Sequence, residues 1–544
     1  MPDEARWRLS GWLGPWRAAT VEQRRTGLLA AGSAVVGLAV AATCVVAAGP
    51  WDSGQRTAER QRAASGAHPG DDGRPGPDPA RAPGASPVLA PLGAPLASPN
   101  PDTGERSVPV PTGPGLADAL EPLLRDDALG PLRAGAVVDV ATGRQLYGAK
   151  AGTGAIPAST IKIATGVAAL SALGPGHRLT TRVTAAPNAP GRIVLVGGGD
   201  PTLTARATRG PDGSHPASLR QLADQTARAL RARGEHTVRL DYDTSLYTGT
   251  SRHPILPNEN LAPVTALMVD EGRRDDSDRG PADRVKDPAA EAARAFARLL
   301  RDRGVKVTGD PRPTGASDKG DGRDAKGGDK GGKHDKGSKG GKGGEGGTPR
   351  GGGADGPGRT LASVRSQPLS SLVERMLTYS DNDIAEALTR HTARATGHPA
   401  SFAGGRAAVT ARLKRLGLPV AGAHLADGSG LDRADKVSAG LLAQLLARAA
   451  GPDQPALRPV LTGLPVAGFT GTLRDRYGEE SVGRGVVRAK TGTLFGVNTL
   501  AGTVVDADGR LLTFAFLTNG STDPAAAQRV LDRLASAVAN CGCR

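Results

Sequence analysis

The chain has 544 residues, room for two or three domains, but its 77 Gly and 42 Pro gather in particular stretches and only 3% of it is aromatic. Part of it therefore cannot pack, and the rest must build an aliphatic core from small side chains. The formal charge of +15 comes without an arginine-rich helix, zinc-ligand spacing or aromatic-basic alternation, which argues against nucleic acid and for an anionic wall or lipid surface.

Five arginines, Arg6, Arg8, Arg17, Arg24 and Arg25, precede an uncharged run from Thr26 to Gly49. As a helix that run would reach roughly 36 Å, enough to cross a bilayer. Residues 1–25 then read as a cytoplasmic basic segment, 26–49 as a single-pass membrane anchor, and the remainder as extracytoplasmic. A secreted protein cleaved after Ala47-Ala48-Gly49 is the alternative. Cys44 is an ordinary apolar side chain of the run, and three cysteines are too few for a disulfide framework. Cys541 and Cys543 are read as a frayed tail.

Residues 50–115 are rich in Pro, Gly, Ala and Ser and read as an extended linker. A helix is expected over Leu116–Leu124, then a strand at Gly135–Asp139, a turn, and a returning strand at Gln145–Tyr147. A helix with little polar face starts near Ser159. Gly197–Leu203 reads as a tight turn closing a strand. Residues 317–359, dense in Lys, Gly and Asp, cannot bury enough surface to order themselves and read as a solvated loop. Near the end, Leu500–Val505 and Leu511–Leu517 form a hairpin, and Asp523-Pro524 opens a last helix to about Ala539. Strands at both ends of the globular part imply an α/β (α+β) fold: one antiparallel sheet flanked by helices, from residues 116–185 and 360–544, with 186–316 inserted between them.

Three short motifs occur in order: Ser159-Thr160-Ile161-Lys162, Ser380-Asp381-Asn382 and Lys490-Thr491-Gly492. Lys162 lies one helical turn after Ser159 and can reach its hydroxyl, the spacing of a nucleophile and its base. To accept a proton near neutral pH, Lys162 must be desolvated or set beside another cation, for which Lys490 is available. The helix N-terminus supplies free N–H groups beside Ser159 for a developing oxyanion. Ser380-Asp381-Asn382 falls at a junction between helices, where Ser380 can relay a proton and the Asn382 amide can bind a peptide; a plain helix cap is the competing reading. Lys490-Thr491-Gly492 is expected to end a strand from Val486. There Gly492 would keep bulk off a sheet edge, Lys490 and Thr491 would hold a carboxylate, and the Thr493 N–H would complete the oxyanion hole.

This ordered trio is the signature of class A β-lactamases and penicillin-binding proteins. With Gly197-Gly198-Gly199-Asp200, Pro263-Val264-Thr265-Ala266, Asp427-Gly428-Ser429-Gly430 and Leu464-Pro465-Val466-Ala467, the chain resembles the type-4 low-molecular-mass penicillin-binding proteins, D-alanyl-D-alanine carboxypeptidases and endopeptidases. The resemblance implies a penicillin-recognising domain interrupted between its first and second motifs. It also implies stem peptides ending in D-Ala-D-Ala as substrates, β-lactams as covalent inhibitors, and no metal or organic cofactor. Thr470 stands where similar proteins usually carry an acidic residue, and the insertion looks short for two extra domains.

Two other functions fit parts of the pattern. A β-lactamase shares the trio, but Leu413–Gly422 offers no glutamate to hydrolyse an acyl-enzyme. A silent wall-binding or sensor protein would have lost a motif member, and none is lost. Carboxypeptidase and transpeptidase differ only in the acceptor, water or amine, and sequence does not separate them.

Overall fold

A computed structural model describes residues 108–186, 189–206, 216–255, 258–314 and 358–543. The anchor, the linker to residue 107 and nearly all of the Lys/Gly-rich stretch lie outside the described residues. Among the described helices none is long and apolar enough to cross a membrane.

In chain order the elements are α1 (Gly113–Leu124), β1 (Leu132–Asp139), β2 (Gln145–Ala149), α2 (Lys162–Leu173), β3 (Thr180–Ala185), β4 (Arg192–Val196), α3 (Leu219–Arg231), β5 (Thr237–Asp243), α4 (Pro288–Arg301), β6 (Lys306–Pro313), β7 (Thr360–Arg365), α5 (Leu369–Tyr379), α6 (Asn382–Ala395), α7 (Phe402–Arg415), α8 (Ala439–Ala450), β8 (Arg488–Leu494), β9 (Val497–Val505), β10 (Leu511–Asn519) and α9 (Pro524–Ala539).

The first sheet runs β2-β1-β10-β9-β8, antiparallel throughout. Alternation along its strands supplies both faces. Val137, Leu500, Phe514 and Phe516 pack with Leu120 of α1 and Leu534 of α9. Ala136, Val138, Ala501 and Ala515 pack with Val167 of α2 and Leu442 of α8. The small side chains on that second face let α2 lie close to the sheet, so the helix is buried from Lys162 to Leu170.

The second sheet runs β6-β5-β4-β3-β7. β4, β5 and β6 are parallel neighbours joined by the crossover helices α3 and α4, while β3 and β7 pair antiparallel at one edge. This moves the expected domain boundaries. β3 and β7, assigned above to the catalytic part, are the paired strands by which the chain enters and leaves the insertion, since an apolar strand leaving one sheet must find partners in the other. The insertion holds a single described sheet.

The tail is also better ordered than expected. Cys541 is buried and bridged to Cys543, whose carbonyl accepts from the Thr112 N–H at 2.8 Å beside α1.

Candidate active site

Ser159 sits in a single helical turn, Ala158–Ile161, that leads directly into α2. Ala158 takes φ +48, a left-handed conformation that costs an alanine energy and persists only where the surroundings enforce it. They do. The Pro157 carbonyl accepts from the hydroxyls of Thr160 and Thr499, each at 2.7 Å, and a side chain on Gly430 would collide with the Ala158 carbonyl. Gly430 itself has φ +82. The turn is thus clamped between β9 and the 427–430 loop, with the Ser159 side chain aimed into a cleft of about 390 Å³.

Lys162 is fully buried and donates to three oxygens: Ser159 Oγ at 3.0 Å, Asn382 Oδ1 at 2.6 Å and the Ser429 carbonyl at 2.6 Å. A neutral amine has two N–H groups and one lone pair. Once the ammonium has lost a proton, its two remaining hydrogens can stay on Asn382 and Ser429, and the lone pair then faces Ser159 Oγ. Burial pulls the Lys162 ammonium down to about 8, opposed by Asp427, Asp381, Glu386 and Asp435. Lys490 is not what lowers it. Lys490 is itself fully buried, and burial together with the Lys162 charge pushes its own ammonium well below the ordinary lysine value. Of two nearby buried ammonium groups, the one without a carboxylate neighbour gives way first.

Ser380-Asp381-Asn382 lies between α5 and α6, as expected. Ser380 ends α5 with φ +59, and Asp381 caps α6 by accepting from the Ile384 N–H at 2.9 Å, so cap and chemical motif coincide. The Asn382 amide Oδ1 holds Lys162, and one Nδ2 hydrogen goes to the Asn260 carbonyl of the insertion at 2.9 Å. Asn382 also lines the cleft, so it steadies Lys162 and keeps a second Nδ2 hydrogen uncommitted. Ser380 lines the cleft, with its hydroxyl in no hydrogen bond among the described residues.

Around this junction, carboxylates and guanidinium groups of the two parts interlock. Glu271 pairs with Arg273 at 2.9 Å and Arg375 at 2.8 Å, and Asp383 pairs with Arg284 at 3.2 Å. Burial, reinforced by Asp381, holds the Glu271 carboxyl well above the usual range, and burial pushes Asp383 up to about 7. The acidic trio Glu271, Asp381 and Asp383 is thus already compensated by arginines.

β8 is the edge strand, and Lys490-Thr491-Gly492 falls in its middle rather than at its end. The Ala489 N–H points outward to Pro465 O at 2.9 Å, so by alternation the backbone groups of Thr491 and Thr493 face the same free edge. Lys490 Nζ donates to the Thr491 carbonyl at 2.8 Å, and Thr491 Oγ1 shares a 2.7 Å hydrogen bond with Thr472 Oγ1. A side chain on Gly492 would strike Thr499 and the Pro157 carbonyl, so this glycine lets β8 lie close against the Ser159 turn.

Comparison with known proteins agrees with this geometry. The model of the D-Ala-D-Ala carboxypeptidase 3 (S13) family matches residues 116–277 and 350–541. The chain belongs to this family. It is 37% identical over 447 residues to the carboxypeptidase DacB of Mycolicibacterium smegmatis, covering 80% of this chain and 86% of the relative. It is 32% identical over 465 residues to a D-alanyl-D-alanine carboxypeptidase of Actinomadura sp. (strain R39), covering 75% and 82%. The crystal structure of penicillin-binding protein 4 from Haemophilus influenzae aligns at TM-score 0.57 and 21% identity, over 77% of this chain and 97% of that one, a likeness of fold.

Of the residues singled out by sequence, Ser159, Ser380, Asn382, Thr491 and Thr493 line the cleft, while Lys162, Lys490 and Gly492 stand behind its wall. All three motifs are brought together. The sequence reading missed the parts that act through backbone or through strain: the carbonyls of Asn260, Ser429 and Pro157, and Ala158 with its positive φ. It also missed Thr472 and the carboxylate of Glu386, which accepts from the N–H groups of Gly428 and Ser429 at 3.0 Å each. The family segment Asp427–Gly430 and the motif Ser380-Asp381-Asn382 marked their neighbourhood without giving their roles.

Proposed function

We propose that this D-alanyl-D-alanine carboxypeptidase works through an acyl-enzyme on Ser159, with Lys162 as the base. The Lys162 lone pair takes the Ser159 proton as Oγ attacks the carbonyl of the penultimate D-alanine. The oxyanion rests between the N–H groups of Ser159 and Thr493, and the substrate lies along the free edge of β8. The C–N bond breaks, and the terminal D-alanine leaves as an amine with the Lys162 proton, relayed by Ser380. Water then gives its proton to Lys162 while attacking the ester, which restores the serine and frees the shortened peptide. Thr491, steadied by Thr472, takes the terminal carboxylate that the sequence assigned to Lys490 and Thr491 together.

The observation that carries this reading is the three-way grip on Lys162 Nζ, which leaves the nitrogen one direction in which to act as a base. β-Lactams, with a strained amide and a carboxylate, enter the same path and stop at the ester. Ser159→Ala protein is expected to take no covalent penicillin label; persistent labelling would discard the assignment.

Among the described residues that line the cleft there is no glutamate, which favours a slow second step with β-lactams over a β-lactamase. The apolar run 26–49 with its arginine flank supports a single-pass anchor with the enzyme outside the cell. Fractionation decides that point: the full chain is expected in the membrane pellet, resistant to high salt, and recovery of a protein shortened to about residue 50 in the medium would favour signal cleavage.

A further inference from the structure

His253 belongs to the insertion, far in sequence from all three motifs, yet its side chain is 5% exposed and meets the fully buried Asp427 carboxylate at 2.9 Å, Nε2 to Oδ2. Asp427 organises the loop beside the lysine. Its Oδ1 accepts from the Ser429 N–H at 3.0 Å and from the Gly430 N–H, and its Oδ2 accepts from Ser429 Oγ at 3.1 Å and the Asp432 N–H at 2.8 Å. That loop presents the Ser429 carbonyl, 2.6 Å from Lys162 Nζ, and Gly430, on which the Ala158 carbonyl rests. An unbroken series of buried contacts therefore runs from His253 through Asp427 and Ser429 to the nitrogen that faces Ser159.

We propose that His253 is a positioning residue for acyl transfer, fixing Asp427 so that the Ser429 carbonyl holds Lys162 against Ser159. The inference rests on the reading of Lys162 as the base.

The ring is built in firmly. Phe402 meets it edge to face at 5.2 Å between centroids, and the Ile255 N–H lies 3.3 Å from Nδ1, which leaves Nε2 as the nitrogen carrying the proton toward Asp427. Asp427, Glu386 and Asp432 face the imidazole, and Arg390 stacks over Phe402 behind it. Burial is the largest single influence and disfavours the charged ring, but the Asp427 hydrogen bond and the charges of Glu386, Asp427 and Asp432 together outweigh it, and the net shift is upward. Around Lys162 the charged groups are Asp427, Asp381, Glu386, Asp435 and Lys490. Asp427 heads the carboxylates that favour the ammonium form, while Asp435 is pushed up to about 9 by burial and by Asp427.

The sign of the effect follows. Without a donor at position 253, the Asp427 charge is less neutralised and stabilises the Lys162 ammonium more, so less free base is present at a given pH. The loop also loosens, and misplacement of a base by a fraction of an ångström slows the chemical step more than it weakens binding. The insertion would then do more than shape the cleft. It would set the strength of the base.

The test compares His253→Phe, which keeps the aromatic packing and removes the donor, with His253→Gln, which keeps a neutral donor, in the full-length protein. With a D-Ala-D-Ala peptide, His253→Phe is expected to lower kcat about 10-fold with KM nearly unchanged, and to move the acid limb of kcat/KM to higher pH. His253→Gln should recover kcat to within about two-fold of wild type. Unmoved acid limbs with both variants at wild-type rate, or with both slowed equally, would overturn the proposal in favour of no role or of packing alone. If His253→Phe does not fold, His253→Gln decides by itself: a large loss of kcat with no change in the limb contradicts it. Lys162→Met, measured alongside, separates the two readings, because an active Lys162→Met protein sinks the base assignment whatever His253 does.

Discussion

The two sheets of this protein divide the labour unevenly. The antiparallel sheet carries or adjoins all three motifs: α2 with Ser159 and Lys162 packs on its face, the edge strand β8 holds Lys490 to Thr493, and the α5–α6 junction closes the cleft. The second sheet contributes no reacting group, yet its loops reach the same site through the Asn260 carbonyl behind Asn382, through Arg284 on Asp383, and through His253 on Asp427. On the proposed mechanism one part supplies the chemistry, and the other holds it in register.

That division can be broken from either side. On the chemical side, Ser159→Ala should lower kcat/KM on the order of 10⁴-fold or more, and Lys162→Met about 10²- to 10⁴-fold, as read with a D-Ala-D-Ala peptide. On the bracing side, Asn382→Ala removes one of the two acceptors that aim Lys162 and also cuts the tie to Asn260. A loss of about 10²-fold, carried by kcat, is expected, and an equal rise in KM would instead make peptide binding the main role of Asn382.

The pH profile sharpens the account further. Lys162 must be neutral to accept a proton, so kcat/KM should rise with pH through an apparent value of about 8 and flatten above it. An acid limb near 10 would mean that burial does not lower Lys162.

Smaller effects belong to the clamp on the nucleophile turn. Gly430→Ala forces a side chain into the Ala158 carbonyl at a positive φ and should cost about 1–3 kcal/mol in denaturant unfolding, with slowed acylation. Ala158→Gly should do the reverse to stability, a gain of up to about 1 kcal/mol as the left-handed strain is relieved, while acylation slows because the turn is less fixed. Unchanged acylation in Ala158→Gly would show that the strain is incidental.

The asymmetry between the two parts also explains what the sequence could tell. The proposed nucleophile, base and oxyanion strand demand particular side chains at particular spacings, so Ser159, Lys162 and Lys490-Thr491-Gly492 stand out, and the β9–β10 hairpin and α9 follow from alternation and a cap. Bracing is done largely by backbone carbonyls at Pro157, Asn260 and Ser429, and any residue has a carbonyl. Lys490 and Gly492 were placed on the substrate side because spacing along a strand does not say which face is already occupied; Thr499 and the Pro157 carbonyl fill the space beside Gly492, and Lys490 is fully buried. The boundary at β3 and β7 was misplaced for a similar reason, since pairing between strands that distant leaves no mark on either one alone.

On the proposed mechanism Ser159 forms the covalent bond with a β-lactam, and the ester is slow to leave. Mass spectrometry of the intact protein and its peptides after benzylpenicillin, followed over time, reads both events. One adduct confined to the peptide containing Ser159 and persisting long after excess drug is removed is the predicted result; an adduct on another peptide, none at all, or one lost as fast as it forms would contradict it.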